Sequence, residues 1–384
     1  MEKQNQFLMK KQNKKLVLEM IKKNAPISRT KIAKLTSMSP TSISRIVNEL
    51  HIQGFVLETE LVTSGVGRKA MLLSINGNVI YTIGVELDTS VIKVAIVNYL
   101  GEIIDIKIIY GNNIGNYENT ILLLVSIICE IIDQNKIPKA LIIGIAVGLP
   151  GFIDYKNGIV KLSEQLLWKD KPLSEDLKRL TTFKVLIDNE LKMKVIAEYF
   201  LGKAKGIQNA ILVGIGSGIG SAIMFNGEIY RGESNNAGEI GHTVMNPKGK
   251  ACHCGKFGCL TTYISEKAIL SDSRKIKDLS SIHDVYLAYR RKEEWALQIL
   301  DRTTTYISLA LSNITSLYNP EMIILSGNLI DNLPEIKQDI EKKYEMYAWE
   351  PVKKMVRIVY SQLSNQGVIL GGAIQVQNRF LVLE

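Results

Sequence analysis

The chain has 384 residues, 46% apolar and 22% charged, a composition typical of a folded protein of two or three domains that excludes a disordered chain. No apolar run reaches the roughly 18 residues of a membrane helix, and the polar start MEKQNQFLMKKQNKK excludes a signal peptide. Together with the small number of cysteines, four, these features favour a reducing cytoplasm and no membrane partner. Clustered cysteines there indicate metal binding or catalysis rather than disulfides.

The net charge of +9 is concentrated at the amino-terminal end. Residues 1–76 hold 13 Lys and Arg against 5 Glu and no Asp, so this fifth of the chain carries +8 of the total. A basic segment on a nearly neutral body suggests a polyanionic partner for that segment. The positive charge alone is equally compatible with a solvated, lysine-rich terminus. The helix pattern is needed to distinguish between these two interpretations.

Three short helices are predicted in this basic segment. The first ends at Asn24, Ser28 caps the second, and Ser39 caps the third with Pro40 at its first position. Apolar side chains at helical spacing mark the inner faces. They are Leu16, Val17, Met20 and Ile21 in the first helix, Ile32, Ala33 and Leu35 in the second, and Ile43, Ile46, Val47 and Leu50 in the third.

The last two helices, separated by a tight turn, are typical of a helix-turn-helix. Apolar stretches 55–62 and 70–75 flank 63-TSGVGRK-69 and predict a two-stranded wing with a cationic tip. A small helical protein-interaction module is the alternative, but charge, caps and periodicity together favour operator DNA read as two half-sites by a dimer. The predicted DNA-binding residues are Ser28, Arg29, Ser39, Thr41, Ser42, Ser44, Arg45, Asn48, Arg68 and Lys69.

The remaining 308 residues contain a weak internal repeat. Residues 81–98 and 209–226 each read as a strand, a tight bend and a second strand, with helical stretches such as 119–135 between them. Two similar α/β lobes are therefore expected. The glycines from Gly214 to Gly220 resemble a dinucleotide-binding fingerprint. The sequence after them, however, predicts a strand and a hairpin instead of the helix that this fingerprint requires. They either approach an anion through backbone amides or simply make a tight hairpin.

A cluster of metal-binding residue types follows. His242, Cys252, Cys254 and Cys259 supply one imidazole and three thiolates, a set that suits tetrahedral Zn²⁺. His253 lies between two of them and is expected to point away. Four protein ligands leave no position for a reactive water, so one structural zinc per chain is predicted. Free buried thiols are the alternative.

Four motifs together resemble the ROK family of repressors, open reading frames and kinases. They are 148-GLPGFID-154, 214-GIGSGIGS-221, 238-GEIGH-242 and 252-CHCGKFGC-259. The resemblance, greatest to the xylose-repressor branch, implies an N-terminal winged helix-turn-helix plus a two-lobed α/β actin-like sugar-kinase fold, related to ribonuclease H. It also implies a homodimer or homotetramer. The expected domains are residues 1–76, residues 77–198 with about 367–384, and residues 199–366 with the zinc site.

The resemblance also implies a sugar site. Asn189 matches the family's sugar-binding asparagine, and Glu190 stands where kinase members have the aspartate general base. Glu239 and His242 match the family's sugar-contacting pair, so His242 would contact both sugar and zinc. Thr261 stands where kinases carry a further glutamate, so sugar recognition is altered or weakened.

The kinase chemistry implied by the family is not expected here. A general base needs hydrogen-bond reach, which the longer Glu190 changes. The family's first phosphate loop, Asp-x-Gly-Gly-Thr, is replaced by 86-ELDTS-90, which disfavours nucleotide binding. No catalytic residue is therefore assigned. The favoured function is a repressor of carbohydrate-utilisation genes, for xylose or a related sugar, that a bound sugar releases. An active sugar kinase with a regulatory head and a repressor controlled by a protein partner are the alternatives.

Overall fold

A computed structural model describes residues 2–60, 71–111, 116–363 and 365–383, with side chains throughout except at residues 2–8 and 60. The chain divides into two compact units. The first comprises Met1–Val147, Ser174–Leu186 and Ala373–Glu384, and the second Gly148–Leu173 and Ile187–Gly372. Of the predicted DNA contacts, Arg68 and Lys69 on the wing tip lie outside the described residues.

The first unit opens with a helical head and a small antiparallel sheet. Its elements are α1 Glu2–Asn24, β1 Ile27–Ser28, α2 Arg29–Thr36, α3 Pro40–Ile52, β2 Val56–Glu60 and β3 Met71–Ile75. The sheet order is β1-β3-β2, so the predicted two-stranded wing gains a short third strand from the segment before α2. The predicted end of α1 at Asn24 is confirmed.

The inner faces of these helices follow the predicted pattern with two differences. Ile43, Ile46, Val47 and Leu50 of α3 are all buried, as their spacing predicts. The inward orientation expected for Leu35 is wrong: its side chain is 51% exposed, because only Ile32 and Ala33 of α2 lie in the stripe that is covered. In α1, Leu18 is buried whereas Leu16 is 41% exposed.

The hydrophobic core of the head extends beyond residues 1–76. Ile80, Tyr99 and Leu383, which lie outside residues 1–76, belong to the same buried cluster as Val17 and Ile21 of α1. Phe55 packs edge-on against Tyr99, with ring centroids 5.5 Å apart. The head is therefore built onto the α/β part of the first unit through continuous apolar packing.

A five-stranded sheet, in the order β11-β7-β4-β5-β6, forms most of the rest of the first unit. The chain returns to this unit within the last helix, α14, from Ala373 onward. The elements are β4 Tyr81–Leu87, β5 Val91–Asn98, β6 Ile103–Tyr110, α4 Tyr117–Gln134, β7 Ile142–Leu149, α5 Leu173–Thr181, β11 Val185–Asn189 and α14 Gly367–Phe380. The unit boundaries fall inside β7, α5, β11 and α14, so the end of β11 with Asn189 belongs to the second unit.

The second unit has a sheet of the same design, in the order β14-β13-β12-β15-β16. In both sheets a meander of three strands is extended by two later strands, which is what the internal repeat predicts. Its elements are β8 Phe152–Asp154, β9 Ile159–Ser163, β10 Trp168–Lys171, α6 Glu190–Phe200, β12 Ala210–Ile215, β13 Ile219–Phe225, β14 Glu228–Tyr230, α7 Thr261–Ile264, α8 Glu266–Ser273, α9 Ile282–Arg290, α10 Glu294–Tyr318, β15 Met322–Ser326, α11 Asn328–Asn332, α12 Lys337–Tyr347, α13 Glu350–Lys353 and β16 Arg357–Tyr360.

Candidate functional site

The predicted recognition helix α3 is fixed at its start by its own cap. The Ser39 hydroxyl oxygen accepts a hydrogen bond from the Ser42 amide at 3.2 Å, and the two hydroxyl groups lie 2.9 Å apart. The Ser28 hydroxyl likewise accepts from the Lys31 amide at 3.3 Å to start α2. These serines therefore orient the two helices, whatever else they contact.

The outward face of α3 has the polar character that the sequence predicts. Thr41, Arg45 and Asn48 are exposed, while Ser42 and Ser44 are half-buried beside them. Short hydrogen-bonding side chains with one guanidinium group suit contacts to base edges and phosphates. Arg29, also predicted to contact DNA, donates to the Asn48 side-chain oxygen at 2.8 Å and pairs with Glu58 of β2.

The four predicted metal ligands come together in the second unit. One ligand atom from each of His242, Cys252, Cys254 and Cys259 lies within 4.8 Å of all the others. The sulfur atoms of Cys254 and Cys259 are 3.7 Å apart, as are the Cys252 sulfur and Nδ1 of His242. Tetrahedral ligands with metal–sulfur bonds of about 2.3 Å would be separated by about 3.8 Å, so the cluster fits a tetrahedrally coordinated ion.

Without a cation the thiols of this cluster differ in acidity. Burial, followed by the neighbouring thiols, raises the pKa of Cys259 to about 12. A hydrogen bond from the Lys256 backbone lowers the pKa of Cys254. A bound divalent ion would hold all three sulfurs as thiolates.

Glycines shape the loop that presents the cysteines. Gly258 has a positive φ of 71°, and a Cβ there would overlap the carbonyl oxygen of Asn246. Short bridges pair Val244 with Cys259 and Ala251 with Phe257, which brings the ends of the loop together. These contacts fold 252-CHCGKFGC-259 into a turn that brings its cysteines close together.

His253 is not one of the four clustered residues, but it does not point away from them, because its Nδ1 lies 3.8 Å from the Cys252 sulfur. Its Nε2 lies 2.9 Å from a carboxylate oxygen of Glu164, and its ring stands edge-on to that of His242 with centroids 5.2 Å apart. His253 thus ties the loop to the segment after β9.

The predicted sugar-contacting residues lie on two segments of the second unit. Asn189 is the N-cap of α6: its side-chain oxygen accepts from the Leu191 and Lys192 amides at 3.0 and 3.4 Å. Its side-chain nitrogen donates to the carbonyl oxygen of Gly151 at 3.4 Å. Glu190 is the first residue of the helix.

Glu239 precedes a short 3-10 turn, Ile240–His242, that lies against β13. A Cβ at Gly238 would overlap the carbonyl oxygen of Ser221, and one at Gly241 would overlap that of Ile219. The glycines of 238-GEIGH-242 therefore allow this close approach. Glu239 is exposed, yet loss of surrounding water raises the pKa of its carboxyl group, while Lys192 lowers that pKa.

Three polar residues near this site, Asp188, Arg231 and Asn235, were missed from the sequence. Asp188 is fully buried and accepts two hydrogen bonds from Arg231, at 3.1 and 2.8 Å. Arg231 also donates to the Asn235 side chain at 2.7 Å, and Lys192 donates to the Asn235 carbonyl. Lys192, three residues after Asn189, lies on the same face of α6, because residues three apart share a helix face.

Electrostatics connects Lys192 to the predicted site. Burial lowers the pKa of its ammonium group, and the negative charges of Asp188, Glu239 and Glu190 oppose that effect. The ammonium thus lies within electrostatic reach of both segments that carry the predicted sugar contacts. Thr261, the position at which a kinase glutamate is absent, is buried at the start of α7.

Local contacts account for the residues of the two loops that were compared with phosphate-binding loops. In 86-ELDTS-90 the Asp88 carboxylate accepts from the Thr89 amide at 2.7 Å, and Glu86 pairs with Lys93 at 3.0 Å. In the glycine-rich stretch, Gly214 and Gly220 leave room for the Leu191 side chain. That stretch continues as β13 and turns at Asn226, so the rejection of a dinucleotide fingerprint is confirmed.

Together the fold and these two sites define a class: a winged helix-turn-helix head on a sugar-kinase-like α/β body. The sequence pattern of the winged helix-turn-helix DNA-binding family matches residues 11–56, and that of the ROK family matches residues 82–379. The chain belongs to the ROK family. Its body accordingly has the actin-like fold that the motifs predict.

Similar proteins match over nearly the whole chain. The xylose repressor of Caldicellulosiruptor bescii is 30% identical over 387 residues, covering 96% of both chains. The xylose repressor of Bacillus subtilis is 28% identical over 377 residues, covering 98% of each. A solved ROK family transcriptional regulator, a homologue of the E. coli MLC protein, superposes with a TM-score of 0.82 at 26% identity over 96% of both chains. Among the described residues no helix is long and apolar enough to cross a membrane.

Proposed function

We propose that this protein is a sugar-responsive transcriptional repressor of carbohydrate-utilisation genes. The head binds operator DNA, and the second unit binds a sugar or sugar derivative that changes DNA affinity. The observation that carries the proposal is the outward face of α3, where Thr41, Arg45 and Asn48 are exposed on a capped, well-packed helix. The whole-length similarity to proteins named xylose repressors supports a pentose such as xylose as the first effector to test.

The sugar site is proposed at Asn189, Glu190, Glu239 and His242. The carboxylates of Glu190 and Glu239, which act electrostatically on the buried Lys192 ammonium, and the Asn189 amide are suited to hydroxyl groups, which both donate and accept hydrogen bonds. A sugar that binds one arrangement of the protein better than another would shift its DNA affinity by that difference. An operator on the chromosome also places the protein in the cytoplasm, as a homodimer or homotetramer that presents two heads.

The metal is proposed to be one Zn²⁺ per chain, held by His242, Cys252, Cys254 and Cys259. The distances between ligand atoms and the excess of thiolates favour zinc over hard cations such as Mg²⁺. Bound zinc would supply a cross-link, because protein atoms fill four positions. It would fix the loop that presents Glu239, and so preorganise the sugar contacts.

We further propose that the chain is not an enzyme. Glu190, the first residue of α6, has a side chain one methylene longer than the aspartate of kinase members, and in the first loop Asp88 already accepts the hydrogen bond of the Thr89 amide. Incubation with ATP and D-glucose or D-xylose is expected to give no sugar phosphate above a protein-free control. Measurable transfer would favour the alternative of a kinase with a regulatory head.

The DNA proposal is tested with the full chain and duplexes selected from a random library. Arg45→Ala is expected to weaken binding about tenfold, and to lower the slope of affinity against salt by about one if Arg45 contacts phosphate. The control Lys23→Ala removes the same charge from an exposed position of α1 and should stay within about twofold. Binding that survives deletion of residues 1–76 would contradict the proposal.

The sugar proposal uses thermal shift with D-xylose, D-glucose and N-acetylglucosamine. A stabilising sugar should then change DNA affinity, and Glu239→Gln should weaken that response without altering sugar-free DNA binding. If no sugar stabilises the chain, the response belongs to the remaining alternative, a repressor controlled by a protein partner.

A further inference from the structure

The side chain of Asn48 on α3 is held from behind by two residues of other elements. Its oxygen accepts a 2.8 Å hydrogen bond from Nη2 of Arg29, the first residue of α2. The same Nη2 is paired with a carboxylate oxygen of Glu58 on β2. Glu58, Arg29 and Asn48 thus form a chain of contacts from the wing sheet to the outward face of α3.

Side-chain exposure increases from Glu58 through Arg29 to Asn48. Glu58 is 20% exposed and Arg29 30% exposed at their side chains, whereas Asn48 is exposed. A charge pair that is largely shielded from water keeps its geometry better than one on the open surface. The guanidinium group is planar and rigid, so holding one end of it also fixes the direction in which Nη2 donates.

This arrangement determines which end of the Asn48 amide faces outward. The oxygen is engaged by Arg29, and among the described residues the Asn48 side-chain nitrogen donates to no protein acceptor. An amide oxygen accepts two hydrogen bonds, so it retains capacity for one more. The group therefore presents a donor and one remaining acceptor site side by side, the pair that matches N7 and the N6 amino group of adenine in the major groove.

We propose that Glu58 is a positioning residue for base recognition: acting through Arg29, it orients Asn48 to read an adenine in each half-site. This inference rests on the proposed DNA-binding function. Arg29 contributes by orienting Asn48, in addition to any phosphate it contacts. The wing sheet consequently has a role in reading sequence through β2, separate from contacts made by its tip.

The test starts from duplexes that the full-length protein selects from a random library. Affinity is measured for the selected duplex, for its variants with each base pair changed, and for a random-sequence duplex. Glu58→Gln removes the charge while keeping the shape, and Glu19→Gln is the matched control because it removes the same charge from an exposed position of α1. Thermal unfolding confirms that each variant is folded.

Glu58→Gln is expected to reduce discrimination at one adenine position about tenfold, while Glu19→Gln leaves discrimination unchanged. In an Asn48→Ala background, Glu58→Gln should have no further effect at that position, because the two act as one unit. A simple counter-charge role predicts the opposite: tighter binding of Glu58→Gln to all duplexes with discrimination intact. That result overturns the inference.

Asn48→Asp gives a second measurement that does not depend on Glu58 variants. The carboxylate keeps an acceptor for Arg29 but replaces the outward donor by another acceptor, so selection should shift from adenine toward cytosine at that position. An unchanged selected sequence also overturns the inference. Failure of the wild-type chain to select any duplex would instead contradict the DNA-binding function itself, so the two failures are distinguishable.

Discussion

Lys22 of α1 donates a 3.1 Å hydrogen bond to the main-chain carbonyl of Tyr99, and its ammonium group lies 4.7 Å from the centroid of that ring. Tyr99 follows β5, outside the DNA-binding head. Burial lowers the pKa of Lys22, while Glu19 raises it. A cation over an aromatic face in a partly desolvated position is a stabilising contact. The head is thus fixed to the α/β part of the first unit by polar as well as apolar contacts.

Tyr99→Ala is expected to loosen the head. Removing this 3% exposed ring leaves a cavity beside Phe55, which should lower the free energy of opening α1 by about 3 kcal/mol. Amide hydrogen exchange in α1 measures that quantity. Tyr110→Ala, at a site 77% exposed, is the control, and equal exchange in the two variants would contradict a shared core.

The buried ion pair of Asp188 and Arg231 in the second unit is expected to contribute more to the free energy of unfolding. Arg231→Gln leaves the fully buried Asp188 without its bidentate partner, which should cost about 3–5 kcal/mol in urea unfolding. Arg179→Gln breaks an exposed pair with Asp176 and should cost less than about 1 kcal/mol. Adding Asp188→Asn to Arg231→Gln should restore part of the loss. No recovery would mean that the charge of Asp188 is not the cause.

Metal content and thermal stability should change together. Cys254→Ser removes one of four ligands and is expected to lower bound zinc from about one per chain to near zero, with a lower melting temperature. Cys129→Ser, at an exposed thiol outside the cluster, should leave both unchanged. Elemental analysis and thermal unfolding provide the measurements. A metal-free wild-type chain of full stability would contradict the zinc proposal.

The head should also lose stability in acid through Glu49 of α3. Hydrogen bonds from Lys14 and Lys10 lower the pKa of this carboxyl group in the folded protein. Its contribution to stability is therefore present above the unfolded value of about 4.3, and is lost as pH falls through the lower folded value. Glu49→Gln should melt lower than the wild type at neutral pH and converge with it in acid. A difference in melting temperature that stays the same at every pH would refute the role assigned to Glu49.

Local chemistry explains why α3 could be predicted almost completely. Ser39, Pro40 and the buried spacing from Ile43 to Leu50 are all encoded within one short segment. Leu35 was misplaced because eight residues of α2 do not define the width of the covered stripe; α1 and α3 do. Spacing and family resemblance together indicated the four proposed metal ligands.

Pairs that depend on the tertiary structure could not be predicted. Asp188 and Arg231 are 43 residues apart, and neither belongs to a motif that names the other. The contact between Arg29 and Glu58 likewise requires the wing sheet to be folded beside α2. Domain boundaries remain predictions, although the compact first unit joins the head to its α/β neighbours.

The position of Leu383 in the head core has a consequence during protein synthesis. This residue is buried in the same cluster as Ile21, near the other end of the chain. At roughly 5–20 residues per second, translation from one to the other takes on the order of 20–70 s. During that interval the nascent head lacks part of its apolar packing. Incomplete chains that stop before this residue would therefore present a less stable head, which favours operator occupancy by finished molecules.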